Sequence, residues 1–432
     1  MWKSTMLLAS VMLPGVAYAA DPNIEQMKQQ IETLQRQIQQ LESRQVATEE
    51  KQKEAFTEDD LKGTMPGSFR IPGTNTSFKI GGTVKLDAMY DFGQAAGTAA
   101  QTDILTLDGV PVRDNQFQFN IRHSRINFTT ETPIEDVLVR GFLEFDFLGS
   151  GGTEASSNSA APRLRQAMIT AGPFTIGQTF TTLYDPLAAA EIFDVSARPG
   201  EVSLRQPLIR YTWKDGPATF AVALENPESD FTGDTAANTS RATSLGSVPS
   251  PNFDHVPDLV FAYNQKFDWG HLGLQALARQ VSVDSGTVED SIFGFGLGAS
   301  GSINLAGKDK IQFHGLYTLG GARYFQTGYA GSASFDGSSL NAQDAWGGDV
   351  ILQHWWTDRL RSNAIVSYMK IDNDDFVVPT ANSEMMTFHG NLIATIVPSL
   401  DIGLEFIYGR RETADGQEGE VNRLQGSVVY RY

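Results

Sequence analysis

The stretch Phe78–Asp91, FKIGGTVKLDAMYD, alternates between apolar and charged side chains, and the rest of the chain repeats this pattern. The apolar positions share one parity and end at Tyr90, whereas Lys79, Lys85 and Asp87 share the other. Because successive side chains of a strand point to opposite faces, the stretch predicts a strand with one apolar face and one charged face. Its length of about 14 residues suits a tilted strand that crosses a bilayer. The pattern is typical of a barrel wall with lipid outside and water inside, and a β-sandwich strand is the alternative.

Composition narrows the choice of fold. The chain has 432 residues, 41 glycines, no cysteine and a formal net charge of −18. After the first 20 residues, no apolar run approaches the roughly 20 residues that a transmembrane helix needs. Any membrane crossing must therefore use strands, and strands in lipid require a closed sheet because they draw every hydrogen bond from their neighbours. The acidic balance argues against nucleic-acid binding, and the lack of cysteine excludes disulfides and thiolate chemistry.

The N-terminus has the features of a signal peptide over residues 1–19. Lys3 precedes an apolar run at 6–13, and Ala17-Tyr18-Ala19 provides a small-x-small cleavage site. The mature chain is therefore predicted to start at Ala20. A short buried helix is the alternative.

Residues 20–56 predict a helix with a heptad seam. Isoleucine occupies each a position and methionine or leucine each d position, and the flanking Gln, Lys, Glu and Arg residues favour helix. The pattern predicts a coiled coil, in which Ile at a with Leu at d favours a parallel dimer, while an amphipathic helix packed on its own domain is the alternative. Glycines and prolines indicate a linker over residues 57–75. The predicted oligomerisation seam consists of Ile24, Met27, Ile31, Leu34, Ile38 and Leu41.

Residues 76–432 predict sixteen antiparallel strands from their period-two segments. Short connections, such as 130–135 and 268–270, alternate with long ones, such as 92–115 and 226–256. Short turns at one end and long loops at the other are typical of outer-membrane barrels. The predicted fold class is an all-β transmembrane barrel preceded by a short helical coiled coil. An even strand count returns both termini to the short-turn end, which places the helix in the periplasm.

Arginines recur at positions predicted to face the lumen. A guanidinium stays charged at any working pH and grips carboxylates in a bidentate manner, so a row of them would concentrate anions. The alternative is a self-neutralising wall, because Glu144 and Asp146 share the same parity. The cluster 122–125 falls where the second strand changes parity, so a bulge there would determine which residues face inward. The candidate pore-lining arginines are Arg125, Arg140, Arg163, Arg165, Arg210 and Arg361.

The connection 182–206 is unusually apolar for an exposed loop. It is therefore predicted to fold into the lumen and narrow it, with Asp185, Glu191 and Arg205 among the residues that line the constriction. The alternative is a loop that packs over the barrel mouth or on a neighbouring subunit.

Catalytic motifs are absent from the sequence. It has no nucleophile elbow, no His-Glu-x-x-His and no phosphate-binding loop. The six histidines have no second ligand at metal spacing, so they are interpreted as solvated or hydrogen-bonded. We expect no enzyme activity, no metal and no cofactor. A structural protein that contacts the cell wall through its helix is an alternative function.

The order of signal peptide, heptad helix, linker and the first strand PGTNTSFKIGGTVKLDAMYD (72–91) resembles the DcaP-like outer-membrane porins. Later segments such as RHSRINFTT (122–130) and IGLEFIYGRR (402–411) fit the same family. The resemblance implies a homotrimer of sixteen-stranded barrels in outer-membrane lipid, with a periplasmic coiled coil. It also implies passive uptake of small anionic solutes such as dicarboxylates through a constriction rich in arginine. The resemblance extends arginine roles only to Arg125, Arg163, Arg165 and Arg210.

Two expectations conflict with this resemblance. The seam chemistry favours a dimer, whereas the family implies a trimer; we expect a trimer, because the interface between barrels is far larger than a short heptad run. The acidic total charge does not support an anion preference, and a general or cation-preferring porin stays as the alternative.

Overall fold

A computed structural model gives the fold of the chain. The chain divides into two units, residues 1–62 and 63–432, which are described separately. The predicted signal peptide, residues 1–19, lies outside the described residues. The structure describes residues 22–54, 61–93, 108, 115–151, 156–195, 197–232, 254–284, 288–325 and 329–432.

The first unit contains one helix, α1, spanning Pro22–Glu54. The seam side chains from Met27 to Leu41 are 53–64% exposed, and the side chain of Ile24 lies outside the described residues. With a single helix there is no partner for the seam, so the coiled coil stays a prediction. No helix in the described part of the chain is long and apolar enough to cross a membrane.

The second unit is a closed antiparallel barrel of sixteen strands, as the sequence predicts. Strand β2 is interrupted and has two segments, and β1 pairs with β16 to close the sheet. The strands are β1 Ser77–Phe92, β2 Phe117–Asn120 with Arg125–Ile134, β3 Val137–Asp146, β4 Arg163–Ala171, β5 Phe174–Phe180, β6 Arg205–Asp215, β7 Ala218–Glu225, β8 Asp258–Phe267, β9 Gly270–Asp284, β10 Glu289–Asn304, β11 Lys310–Leu319, β12 Asp344–Trp355, β13 Leu360–Asp372, β14 Asn382–Val397, β15 Leu400–Thr413 and β16 Glu418–Arg431.

Strand β1 shows how the alternation in sequence becomes the two faces of the wall. Ile80, Val84 and Leu86 are exposed on the outer face, whereas Asp87 and Asp91 are fully shielded on the inner face. An apolar outer face and a polar inner face are the arrangement expected of a barrel in lipid. The predicted linker contains a two-residue strand, Phe69–Arg70, that pairs with the start of β1.

The interruption of β2 changes which of its residues face inward. Asp87 of β1 pairs with Asn120, and Thr83 pairs with Arg125, so four steps along β1 correspond to five along β2. The extra residue shifts the parity: Phe117 and Phe119 are exposed before the break, whereas Arg125 lies beside the inward-facing Thr83 after it. The irregularity that the sequence suggested at 122–125 therefore exists, and it turns Arg125 inward.

Candidate functional site

The connection between β5 and β6, residues 181–204, crosses the inside of the barrel and is called the inner loop here. Asp185 accepts hydrogen bonds from His271 Nε2 of β9 (2.8 Å) and Ser300 Oγ of β10 (2.6 Å). Gln312 of β11 donates to the carbonyls of Leu187 and Ala189. A loop that joins adjacent strands reaches these distant strands only through the lumen, so the inner loop lies within it.

Glu405 of β15 is the most heavily used attachment point of the inner loop. Its carboxylate is fully buried and accepts from the backbone N–H groups of Phe193 (2.8 Å) and Asp194 (3.1 Å). His389 and Asn391 of β14 donate to the same carboxylate. Because one carboxylate takes two loop amides, it fixes the direction of the loop backbone as well as its position.

The returning half of the inner loop is attached to β11–β13. Arg198 pairs with Asp349 of β12, and the N–H of Val202 donates to His314 Nε2 (2.8 Å). The N–H of Gly200 donates to Ser367 Oγ (2.9 Å). An added Cβ at Gly200 would lie 2.4 Å from backbone atoms of Gly348, so only glycine allows this approach.

Apolar packing fills the same side of the lumen. Leu183, Val202 and Leu204 of the inner loop join Tyr324 and Phe325, from the connection between β11 and β12, in one buried cluster. The wall contributes inward-facing residues of β8, β9 and β11 to β16 to this cluster. They are Val260, Leu277, Leu316, Ala345, Met369, Ile371, Met385, Ile407 and Val421.

The remaining open part of the lumen lies against β1–β8. In the described part of these strands, inward-facing side chains such as Thr83, Asn127, Thr170 and Thr212 stay partly exposed. On β9–β16 their counterparts are mostly buried beneath the two loops. The path through the barrel is therefore off-centre.

Four arginines meet two carboxylates on this open side. Asp146 of β3 lies between Arg125 and Arg163 in register. Arg163 binds Asp146 at two points, 3.0 and 2.7 Å, and Arg165 bridges Glu144 (2.8 Å) and Asp146 (3.1 Å). Arg205 interacts electrostatically with both of these β4 arginines. The residues Arg125, Arg163, Arg165 and Arg205 are called the arginine cluster.

The arginine cluster carries more positive charge than its partners neutralise. Among the described residues, neither Arg125 nor Arg205 has a side-chain hydrogen-bond or ion-pair partner, and the Arg205 guanidinium lies 5.4 Å from the centroid of the Phe180 ring. Nearby Arg210 donates to the Phe180 carbonyl (2.7 Å), and within the described ranges it pairs with no carboxylate. Two carboxylates against four guanidinium groups leave an excess of two positive charges beside the open lumen.

The other predicted pore residues lie elsewhere. Arg140 is paired with Glu131, and its side chain is half exposed near the short-turn end. Arg361 is buried and bound to Glu191, Asp401 and Thr395. Asp185 and Glu191 serve as attachment points of the inner loop. The structure gives the binding partners of these four residues within the barrel. Their pore-lining role stays a prediction.

The sequence places Lys85 on the charged face of the first strand, but it does not indicate which residues hold the inner loop. Lys85 of β1 donates to the Phe193 carbonyl (2.5 Å), and Arg198 and His314 hold the returning half. His271 and His389 are buried, His314 is partly buried, and all three are hydrogen-bonded to the inner loop or to its anchors. No group of three potential metal-binding side chains occurs in the described parts of the chain.

Comparison with known proteins gives the family and the fold. The model of the family described as DcaP outer membrane protein matches residues 16–432. The outer membrane channel DcaP of Acinetobacter baumannii superposes with a TM-score of 0.71 at 22% identity, covering 85% of this chain and 100% of that one. An anion-selective porin from Comamonas acidovorans (TM-score 0.53, 10% identity, 83% and 100% covered) shares the barrel. So does the trimer form of OmpT from Vibrio cholerae (0.52, 11%, 83% and 99%). No curated protein matches the chain in sequence.

Proposed function

Because the chain belongs to the DcaP outer membrane protein family, we propose that it forms a channel for passive diffusion of small anionic solutes, of the dicarboxylate type, across the outer membrane. The observation that supports this proposal is the excess of guanidinium groups in the arginine cluster, on the open side of the lumen. One structural relative, the porin from Comamonas acidovorans, is described as anion-selective.

The chemistry of the cluster suits a doubly charged solute. Guanidinium groups cannot be deprotonated in this setting, so the positive excess persists at any working pH. A narrow, low-dielectric passage focuses the field of such charges and raises the local anion concentration. In the described part of the chain no carboxylate binds the guanidinium of Arg125 or Arg205, so each keeps donors for a carboxylate of a passing dianion. Binding of this kind is weak enough for release, which conduction requires.

The net charge of −18 does not decide selectivity, because it sums acidic residues of the helix, the loops, the outer face and the lumen. Among the inner-face carboxylates of β9–β16, Asp349 pairs with Arg198 of the inner loop, and Asp401 pairs with Arg361 and Arg431. A carboxylate neutralised by a bound partner contributes little field to the open path. These paired carboxylates therefore add little negative field to the open path.

The test is the reversal potential of the purified full-length protein in a planar bilayer under a KCl gradient. We expect anion selectivity that falls with Arg125→Ala and with Arg210→Ala. Arg410→Ala is the matched control, because Arg410 lies on the outer face of β15 with Glu412 and Glu418. Cation selectivity would overturn the anionic solutes, and an absence of conductance would overturn the channel.

We further propose that the protein is a homotrimer, with α1 on the periplasmic side in a coiled coil. Five described seam residues are more than half exposed, which suits pairing between helices. Both ends of the barrel sequence lie at the short-turn end, since Gly82 and Tyr432 exchange backbone hydrogen bonds. OmpT, a structural relative, is described in a trimer form. A two-fold assembly in native mass spectrometry would overturn the trimer.

A further inference from the structure

Charge is unevenly distributed along the barrel axis. At the long-loop end, the connection after β13 begins DNDD at 372–375. The last connection, 414–417, lies within ETADGQEGE at 412–420, where Arg410 pairs with Glu412 and Glu418 while Asp415 and Glu420 add negative charge. Asp336 and Asp254 lie in other connections at this end. Arginines that occur there, such as Arg279 and Arg423, are buried against Asp258 and Asp91. The long-loop mouth is therefore acidic.

The short-turn end has the opposite character on its inner face. Four lysines occupy inward-facing register positions within three residues of a strand end: Lys79, Lys214, Lys266 and Lys310. Lys266 pairs in register with His271, and Lys310 with Gln353; both partners are shielded inner-face residues. The four lysines belong to β1, β6, β8 and β11, so they are spread around more than half of the barrel.

These lysines are not neutralised. In the described part of the chain, none of the four ammonium groups has a hydrogen-bond or ion-pair partner. Lys308, in the turn before β11, differs because it pairs with Asp358 at 2.7 Å. Lys370, on the outer face of β13, pairs with Glu384 at 3.4 Å. Unpaired ammonium groups that face a lumen act on mobile ions rather than on the wall.

We propose that the four lysines form a cationic ring at the short-turn mouth that, together with the acidic long-loop mouth, makes the channel rectify ionic current. The ring is a second place, besides the arginine cluster, where small anions accumulate in the channel. The proposal rests on the proposed channel but does not require that the channel be anion-selective overall. It predicts a larger conductance when the long-loop side is held positive.

The direction follows from which ion each mouth concentrates. Cations are the majority ions in the acidic mouth, and anions are the majority ions at the lysine ring. When the long-loop side is positive, both kinds of ion drift from their own mouth toward the middle, accumulate there and raise the conductance. The opposite voltage draws both kinds away from the middle and depletes it.

Length scales allow the two mouths to act separately at moderate salt. Strand β1 has 16 residues, so at roughly 3.3 Å per residue it extends about 50 Å. The Debye length is about 10 Å at 0.1 M salt and about 3 Å at 1 M. Each mouth therefore keeps its own ion population at 0.1 M, and screening removes the effect at 1 M.

The experiment measures single-channel current against voltage in symmetric 0.1 M KCl. Orientation is marked by a single cysteine, Asp268→Cys in the short turn before β9, labelled from one side with a membrane-impermeant thiol reagent; the chain has no other cysteine. We expect a conductance ratio of roughly 1.5 to 2 between the two polarities, larger with the long-loop side positive, and a linear curve at 1 M.

The variant K79Q/K214Q/K266Q/K310Q tests the assignment. It should lose most of the asymmetry, whereas Lys370→Gln, which removes a lysine from the outer face, should retain it. A linear curve for the unmodified protein at 0.1 M, or asymmetry unchanged in the fourfold variant, would overturn the proposal. A rectifying channel that is cation-selective would overturn the anionic solutes proposed above and leave the lysine ring standing.

Discussion

Arg361 of β13 and Glu191 of the inner loop form a two-point ion pair inside the barrel, with 2.7 Å between Arg361 Nε and Glu191 Oε2. The same guanidinium donates to Thr395 Oγ1 (2.9 Å) and to Asp401 (3.1 Å), and its side chain is only 6% exposed. All three of its nitrogens donate to the inner loop or the wall and use four of the five N–H donors, so Arg361 positions the inner loop.

Arg361→Ala should therefore disturb the inner loop more than the selectivity. Glu191 would lose its buried partner, which costs about 1–3 kcal/mol of local stability. We expect noisier open-channel current and faster amide hydrogen exchange at residues 191–194, with a smaller loss of anion selectivity than in Arg125→Ala. A quiet channel with strongly reduced anion selectivity would place Arg361 in the permeation path instead.

Gly200→Ala should push the inner loop away from β12. The new Cβ would lie 2.4 Å from the backbone N and O atoms of Gly348 and from the Tyr368 carbonyl, and backbone atoms cannot yield cheaply. The loop must move, which breaks the hydrogen bond from Gly200 to Ser367. We expect a changed single-channel conductance and a lower temperature of heat-induced unfolding.

Gly315→Ala is the matched control for that substitution. Gly315 lies in the neighbouring strand β11, and an added Cβ there would meet nothing closer than the Gly347 carbonyl at 3.7 Å. This variant should conduct like the unmodified protein. If Gly200→Ala and Gly315→Ala changed the conductance and the unfolding temperature equally, the close approach of Gly200 to β12 would not be what positions the inner loop.

The sequence was sufficient to predict the strands of the barrel wall, but it was not sufficient to predict the ion pairs inside the barrel. Period-two alternation in Phe78–Asp91 and its repeats predicted all sixteen strands, because the face of each side chain depends only on local parity. Ion pairs depend on which distant residues meet. Arg361 and Arg125 look alike in sequence, yet one is bound to the inner loop and the other has no described partner. The attachment of Phe193 to Glu405 joins residues 212 positions apart, a distance that no local pattern encodes.

Polar substitution of the seam should unfold the coiled coil and spare the barrel. Ile31, Leu34 and Ile38 are 53%, 57% and 54% exposed, so the isolated helix gains little from them without a partner. The triple variant I31S/L34S/I38S should lower the helical circular dichroism signal while native mass spectrometry still finds trimers. A matched change on another face, Gln29→Ser with Gln40→Ser, should preserve the helix. Dissociation to monomers in the seam variant would assign the oligomer to the helix rather than to the barrel.

Asp336 should remain ionised well below the usual range of an aspartate. It lies in an exposed turn at the long-loop end, where backbone N–H groups of Ser339 and Ser338 donate to its Oδ1 at 2.8 and 2.7 Å. These hydrogen bonds lower the pKa of Asp336 to about 2. An aspartate in an unfolded chain has a pKa of about 3.9, so the ionised carboxylate stabilises the turn above about pH 4.

That stabilisation should disappear as the pH falls from about 4 to about 2, because the proton binds the open turn before the closed one. We expect the carboxyl carbon shift of Asp336 in NMR spectra of the detergent-solubilised protein to titrate near pH 2. Asp336→Asn keeps an acceptor oxygen but cannot titrate, so its turn should lack this pH dependence. A midpoint near pH 4 in the unmodified protein would mean that the two serine amides do not hold the carboxylate in solution.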